Sequence, residues 1–263
     1  MTILLAINAG SSSVKISVYS VASNRNESPS KIADLQVSGL TAPPAKLEYT
    51  RHGTVVKDKD TVEADSQDAA FKLLLDTLIS DSELTEISNS DDIAVTAHRI
   101  VHGGDYDDAK VINKETYHHL EELSDLAPLH NGPALSIVSS CVSQLPRASN
   151  VACFDSQFHA SIPAHIATYP IDQDVARKNQ LRKYGFHGIS YSFVTRTVAE
   201  FLNKDVADTN AIVLHLGSGA SACAVKAGKS WDTSMGLTPL SGLPGATRSG
   251  SVDPRYVHKT FSS

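Results

Sequence analysis

Two short stretches carry residues suited to holding a phosphate: Asn8-Ala9-Gly10-Ser11-Ser12-Ser13-Val14-Lys15, and His215-Leu216-Gly217-Ser218-Gly219. Small residues let backbone N–H groups approach an anion closely, and serine hydroxyls add donors. Lys15 adds a positive charge at the edge of the first turn. The first stretch is not a strand–GxxxxGK[ST]–helix loop, because no Gly-Lys-Ser/Thr follows and a strand continues in place of a helix. Either stretch alone reads equally well as an ordinary Gly/Ser hairpin. Two together are more specific, since a phosphate chain could be gripped from both sides.

Three further segments hold isolated chemical groups. His98-Arg99-Ile100-Val101-His102 sits at the end of a short apolar run, where open α/β sheets place ligands. Asp155 closes an apolar strand. A carboxylate there can orient a metal, a water or a nucleophile, although turn-forming or helix capping is the commoner duty. Arg182-Lys183-Tyr184-Gly185-Phe186-His187-Gly188 combines cations, aromatics and a histidine between glycines. Considered alone, His187 reads as a satisfied structural histidine. The loop from Gly242 to Pro254 is rich in Gly and Pro around a single arginine, Arg248, and loops of that length are usually functional or disordered.

The elements that must position these groups follow from periodicity. Leu4–Ile7 and Val14–Val18 read as a hairpin, with Val14, Ile16 and Val18 on one face. Ile32–Leu40 and Leu47–Val56 alternate as strands, punctuated by Pro43-Pro44 and His52-Gly53. Gln67–Ile79 is helical, with Ser66 as its N-cap. Ile93–Ala97 is a buried strand. Helices follow over Thr116–Leu123 and Pro133–Gln144, separated by a loop over Ala127–Gly132. A strand over Val151–Phe154 leads into a loop over Asp155–Tyr169. Ile189–Leu202 is a helix, and Ala211–Val225 repeats the opening strand–turn–strand pattern.

Composition sets the class. The chain has 263 residues, is 41% hydrophobic and 20% charged, and carries a net charge of −6. That balance is expected of a globular protein with room for two domains, and it recommends no nucleic-acid partner. Three cysteines without CxxC spacing read as free thiols of a reducing compartment. No apolar run approaches the ~20 residues of a membrane span, and no basic segment precedes the N-terminal apolar run. The cytoplasm and no membrane partner are the expectation.

The segments Asn8–Lys15, Ala97–Gly104, Ala127–Pro133, Phe154–Pro163, Arg182–Ser190, His215–Gly219 and Thr233–Pro254 occur together in the order found in the acetokinase family, which the sequence resembles. The resemblance implies an α/β fold of the two-domain actin-like ATPase (ribonuclease-H-like) type. Its N-terminal domain would span residues 1–150, and its second domain, over 151–263, would be incomplete. It implies the interconversion of ATP plus acetate with ADP plus acetyl phosphate, with Mg²⁺, by a homodimer. A propionate or butyrate kinase is the close alternative, and an inactive remnant that only binds is the distant one.

By the same resemblance, Asn8 lies near the metal, and Ser11, Ser13 and Lys15 form the phosphate-side hairpin. His215, Leu216, Gly217, Ser218 and Gly219 form a second phosphate loop. Arg99 pairs with the acetate carboxylate. Val101, Leu129, Phe186 and Pro239 surround its methyl group, and His130 lines the cleft. Asp155, His187 and Arg248 are the catalytic residues, the last two stabilising the transferring phosphoryl group. The family's usual Asn, Glu and Asp are replaced here by Ser218, Ser241 and Ser251. Ser251 costs the loop around Arg248 a carboxylate.

Overall fold

A computed structural model describes residues 1–22, 27–123 and 128–255, the side chains of 128–130 excepted. The chain divides into two compact units, one of residues 1–100 and 109–153, the other of 101–108 and 154 onward.

The first unit is built on a mixed sheet. Its strands are β1 (Thr2–Ala9), β2 (Ser13–Val21), β3 (Ser30–Ser38), β4 (Ala45–Arg51), β5 (Thr54–Val62), β6 (Ile93–Ile100), β7 (Lys110–Val111) and β8 (Ser149–Phe154). They lie in the order β5-β4-β3-β2-β1-β6-β8-β7. The first five strands form an antiparallel meander, and β6 joins β1 in parallel. The helices are α1 (Gln67–Ser80), α2 (Lys114–Leu123) and α3 (Pro128–Gln144). Ser66 caps α1 by accepting a hydrogen bond from the Ala69 amide, as the sequence predicts. The alternation of β1–β4 turns Leu5, Ile16, Leu35 and Leu47 inward. They share one core with Phe71, Leu74 and Leu78 of α1 and Ile137 and Cys141 of α3.

The second unit holds α4 (Ala164–Ala167), α5 (Gln173–Lys178), α6 (Gly188–Phe201), β9 (Ala211–Leu216), β10 (Ala220–Lys226) and β11 (Lys229–Thr233). The strands form an antiparallel sheet in the order β11-β10-β9. One face packs on α6, where Tyr191 joins Val213, Cys223 and Val225. The opposite face of β9 leaves Ile212, Leu214 and Leu216 exposed at 73%, 55% and 71%.

Four expectations change. The single strand over Leu47–Val56 is two strands, because His52-Gly53 turns the chain with both residues at positive φ. Residues 128–132 are helical, so α3 starts five residues before Pro133, which lies inside the helix. The stretch Asp155–Tyr169 is not all loop: it contains a 3₁₀ turn over Gln157–Ser161 and α4. The elements α5, β7 and β11 have too little apolar periodicity to be seen in sequence. The three cysteines are free. Among the described residues no helix is long and apolar enough to cross a membrane.

Candidate active site

The candidate residues divide between the units. Asn8, Ser11, Ser13, Lys15 and Arg99 belong to the first, and Val101, Asp155, Phe186, His187, residues 215–219, Pro239 and Arg248 to the second.

In the first unit, β1 and β2 pair so that Asn8 lies directly opposite Lys15. The parallel strand β6 brings Arg99 beside them, and its Nη1 donates to Asn8 Oδ1 at 3.2 Å. The turn is closed by Gly10 N donating to Ser13 O at 2.9 Å and braced by Gln67 Nε2 donating to Ser11 O at 3.1 Å. Asn8, Ser11 and Lys15 remain exposed. Behind Arg99, His98 is buried with Thr96 and Asn150. Thr96 Oγ1 donates to Asn150 Oδ1 at 2.7 Å, and His98 Nε2 lies 3.0 Å from the same oxygen. Burial pushes the His98 pKa down to about 4. This polar trio locks the end of β6 that presents Arg99. Leu129 and His130 fall in the first turn of α3, and their side chains lie outside the described residues.

In the second unit, Asp155 follows β8 and is 2% exposed. Its carbonyl accepts the Gly188 amide at 2.8 Å. Gly188 is required there, because a Cβ would collide with that carbonyl. Helix α6 is thereby docked with its first residue on Asp155. The residue before it, His187, has φ +61°, a left-handed conformation that β-carbon-bearing residues adopt rarely and that clusters at functional sites.

His187 is the centre of the assembly. Its Nδ1 lies 2.7 Å from Ser221 Oγ, and the Tyr191 hydroxyl contacts the same serine. Its ring stacks on His215 with centroids 4.0 Å apart and planes 23° from parallel. His215 Nδ1 lies 3.0 Å from Ser190 Oγ. On the other edge, His187 Nε2 faces Gly219. A Cβ built on that glycine would stand 3.2 Å from His187 Nε2 and 2.5 Å from Arg248 Nη2. The imidazole and the guanidinium therefore converge on the hairpin turn between β9 and β10.

Arg248 is held by its loop. Its Nη1 donates to Pro239 O at 3.1 Å. The loop lies on the hairpin through Ala246 N donating to Ser218 O at 2.8 Å, and it closes on itself through Gly245 N donating to Arg248 O at 2.9 Å. Ser251 Oγ accepts the Gly242 amide at 2.9 Å and so pins the base of the loop. Within the hairpin turn, the Gly217 amide is already committed to Gly219 O at 3.0 Å.

Val101 and Phe186 come together in an apolar cluster with Tyr184, Met235 and Leu237. Pro239 is buried, and its carbonyl accepts from Arg248. The His102 ring stands edge-on to Tyr184 and Phe186, at 4.6 and 5.3 Å. His159 fixes the approach to His187: its Nε2 lies 2.9 Å from Phe186 O and its Nδ1 2.7 Å from Ser230 Oγ. Burial pushes the His159 pKa down to about 4 and keeps it neutral. Nε2–H then donates to the carbonyl, and Nδ1 accepts from the serine.

A profile of the acetokinase family matches residues 3–261, nearly the whole chain. The chain belongs to the acetokinase family. It is similar to a probable acetate kinase of Chaetomium globosum, 63% identical over 259 residues that cover 97% of this chain and 56% of the relative. The acetate kinase of Clostridium acetobutylicum is 40% identical over 256 residues, covering 96% of this chain and 61% of that one. Among solved structures, Porphyromonas gingivalis acetate kinase superposes with a TM-score of 0.82 at 33% identity, covering 98% of this chain and 63% of that one. A propionate kinase from Francisella tularensis gives 0.84 at 35% identity, covering 98% and 64%. The chain thus spans 56 to 64% of the length of these four proteins. The likeness carries the α/β, actin-like fold of acetokinases expected from sequence.

Sequence reasoning did not reach Tyr191, Ser221, Ser190 or His159. Ser221 had one signal: it occupies an inward position of β10, where Cys223 and Val225 are apolar.

Proposed function

We propose that this acetokinase chain serves acetate kinase chemistry, the reversible transfer of the ATP γ-phosphoryl group to acetate. The observation that carries the reading is the convergence of His187 and Arg248 on Gly219 in a chain matched by the acetokinase profile over residues 3–261. Phosphoryl transfer requires positioning and charge neutralisation, with charge spread over the equatorial oxygens of the transferring group. Fixed donors at those oxygens act mainly on the transition state. His187 Nε2 and Arg248 supply such donors from two sides, and transfer is direct and in line.

Acetate is ionised at neutral pH, so the reaction requires no proton-abstracting base. Asp155 orients the groups around the nucleophile, and Arg99 pairs with its carboxylate. Val101 and Phe186 receive the methyl group, together with Leu129, His130 and Pro239. Ser11, Ser13, Lys15 and residues 215–219 hold the phosphates of ATP or ADP. A divalent ion, Mg²⁺, neutralises the nucleotide phosphates. Among the described residues no three His, Cys, Asp or Glu side chains cluster to hold a metal. Asn8 offers one neutral oxygen, which suits an ion that arrives on the nucleotide and takes most of its ligands from phosphate and water. The reading includes a cytoplasmic homodimer of two actin-like domains.

Propionate is the competing acyl group, because one of the similar structures is a propionate kinase. The test supplies ATP, Mg²⁺ and acetate, propionate or butyrate, and traps acyl phosphate with hydroxylamine. It is run on this chain and on a chimera in which residues 3–261 replace the matched segment of the Chaetomium globosum relative. The expected result is acetate-dependent hydroxamate from the chimera, with a lower KM for acetate than for its longer homologues. ATP hydrolysis without acyl phosphate would overturn the reading.

A further inference from the structure

We propose that Ser221 and Tyr191 are positioning residues that fix His187 as the Nε2–H tautomer and so make it a donor toward the hairpin turn. This rests on the transfer role proposed for His187.

Three buried polar groups form a line. Tyr191 and Ser221 are both 0% exposed, and His187 is 8% exposed. Tyr191 contacts Ser221 through its hydroxyl, and Ser221 Oγ lies 2.7 Å from His187 Nδ1. A buried phenol gives its proton to a partner, because a buried donor left unsatisfied is costly. Its partner here is Ser221, so Ser221 accepts from Tyr191. The single serine proton is then directed to His187 Nδ1, which must be unprotonated to accept it. The remaining proton of a neutral imidazole lies on Nε2, the nitrogen that faces Gly219 and Arg248. The reverse orientation, with Nδ1–H donating to Ser221, would turn the serine proton toward Tyr191 and displace the phenol's own proton from its partner.

The line is also rigid. Tyr191 is on α6 one turn after His187, and its ring packs edge-on to His159 at 5.7 Å. Ser221 is held in β10, paired with His215 of β9. His215 in turn stacks on the His187 ring, so the two strands that carry the turn also set the imidazole plane. Nothing in the line reaches the hairpin turn except His187. Ser221 and Tyr191 act only through its ring.

The test labels histidine with ¹⁵N and reads the His187 ring nitrogens by NMR in this chain, in Ser221→Ala and in Tyr191→Phe. Each substitution removes one oxygen, and circular dichroism with the remaining histidine signals reports folding. The expected spectrum of the parent has Nδ1 unprotonated and Nε2 protonated. Ser221→Ala gives a tautomer mixture, and Tyr191→Phe, which frees the serine to accept from Nδ1–H, shifts population from Nε2–H toward Nδ1–H. In the chimera's transfer assay Ser221→Ala lowers kcat about tenfold, with KM for acetate and ATP within about twofold, as expected for loss of an orienting bond to a reacting group. A parent with Nδ1 protonated, or an unchanged tautomer in folded Ser221→Ala or folded Tyr191→Phe, overturns the proposal. If the tautomers behave as expected but no phosphoryl group is transferred, the positioning stands and the transfer role of His187 fails.

Discussion

Arg248 and His187 meet over the one hydrogen of Gly219 that a larger residue would replace with carbon. A Cβ there would lie 2.5 Å from Arg248 Nη2 and 3.2 Å from His187 Nε2. The glycine is therefore part of the site geometry as much as of the turn. Gly219→Ala displaces the flexible end of Arg248 before it disturbs backbone. In the chimera, kcat falls by about 10²-fold, the scale of an ångström-sized misplacement of a reacting group. The thermal transition of the folded protein moves little. Steady-state kinetics beside a melting curve checks both halves.

Arg248→Ala removes a charge assigned to the transition state, so kcat falls by about 10³-fold and substrate KM values change modestly. Arg248→Lys recovers little, because an ammonium cannot reproduce the guanidinium fork that reaches both Pro239 O and the space over Gly219. A folded Arg248→Ala variant that kept its kcat and lost only acetate affinity would move Arg248 to the substrate pocket.

Arg99→Ala tests the acyl site. Losing a charge-assisted bond of about 1.5–3 kcal/mol raises the acetate KM by roughly 10- to 100-fold. The ATP KM stays nearly constant, although Asn8 loses its partner at 3.2 Å. Equal losses for both substrates would contradict a role confined to acetate. The measurement is a pair of substrate-saturation curves.

Acid destabilises the second unit. Burial lowers the His102 and His159 pKa values to about 4 in the folded chain, against an ordinary value near 6.5. Below about pH 6.5 the unfolded chain takes up protons that the folded one refuses. Stability is therefore full at neutral pH and is lost as pH falls toward about 4. At pH 5 each histidine contributes a loss of about 2 kcal/mol. Trp231, the only tryptophan, lies in β11 next to Ser230, the partner of His159, so its fluorescence reports this unit. The urea midpoint followed by that signal falls between pH 7 and pH 5.

Much of this was legible in the residues, for identifiable reasons. Both hairpins announced themselves because strand period two stops at Gly and Ser and then resumes, and α1 because Ser66 caps an apolar stripe. The start of α3 was misplaced because the sequence offers two prolines. Pro128, not Pro133, takes the first helical position, where a missing N–H costs nothing. Strand β5 reads Thr-Val-Val-Lys-Asp-Lys-Asp-Thr-Val and is exposed along nearly its whole length, so it forms by edge pairing with β4 and has no inward face to betray it. At the site, His187 between its glycines reads alone as a structural histidine, and Arg248 only as the single arginine of a Gly/Pro-rich loop; the family resemblance is what pairs them. Tyr191 and Ser221 give no such signal, because only the packing of α6 on β10 brings the Tyr191 hydroxyl to Ser221 and Ser221 to the His187 imidazole.

The most direct measurement follows label from [γ-³²P]ATP in the chimera with and without acetate, using hydroxylamine to distinguish acyl phosphate from inorganic phosphate. The account predicts acetate-dependent labelled acetyl phosphate, and loss of that product in Arg248→Ala with the fold intact. Label released as inorganic phosphate at the same rate with or without acetate, and unaffected by Arg248→Ala, would contradict it.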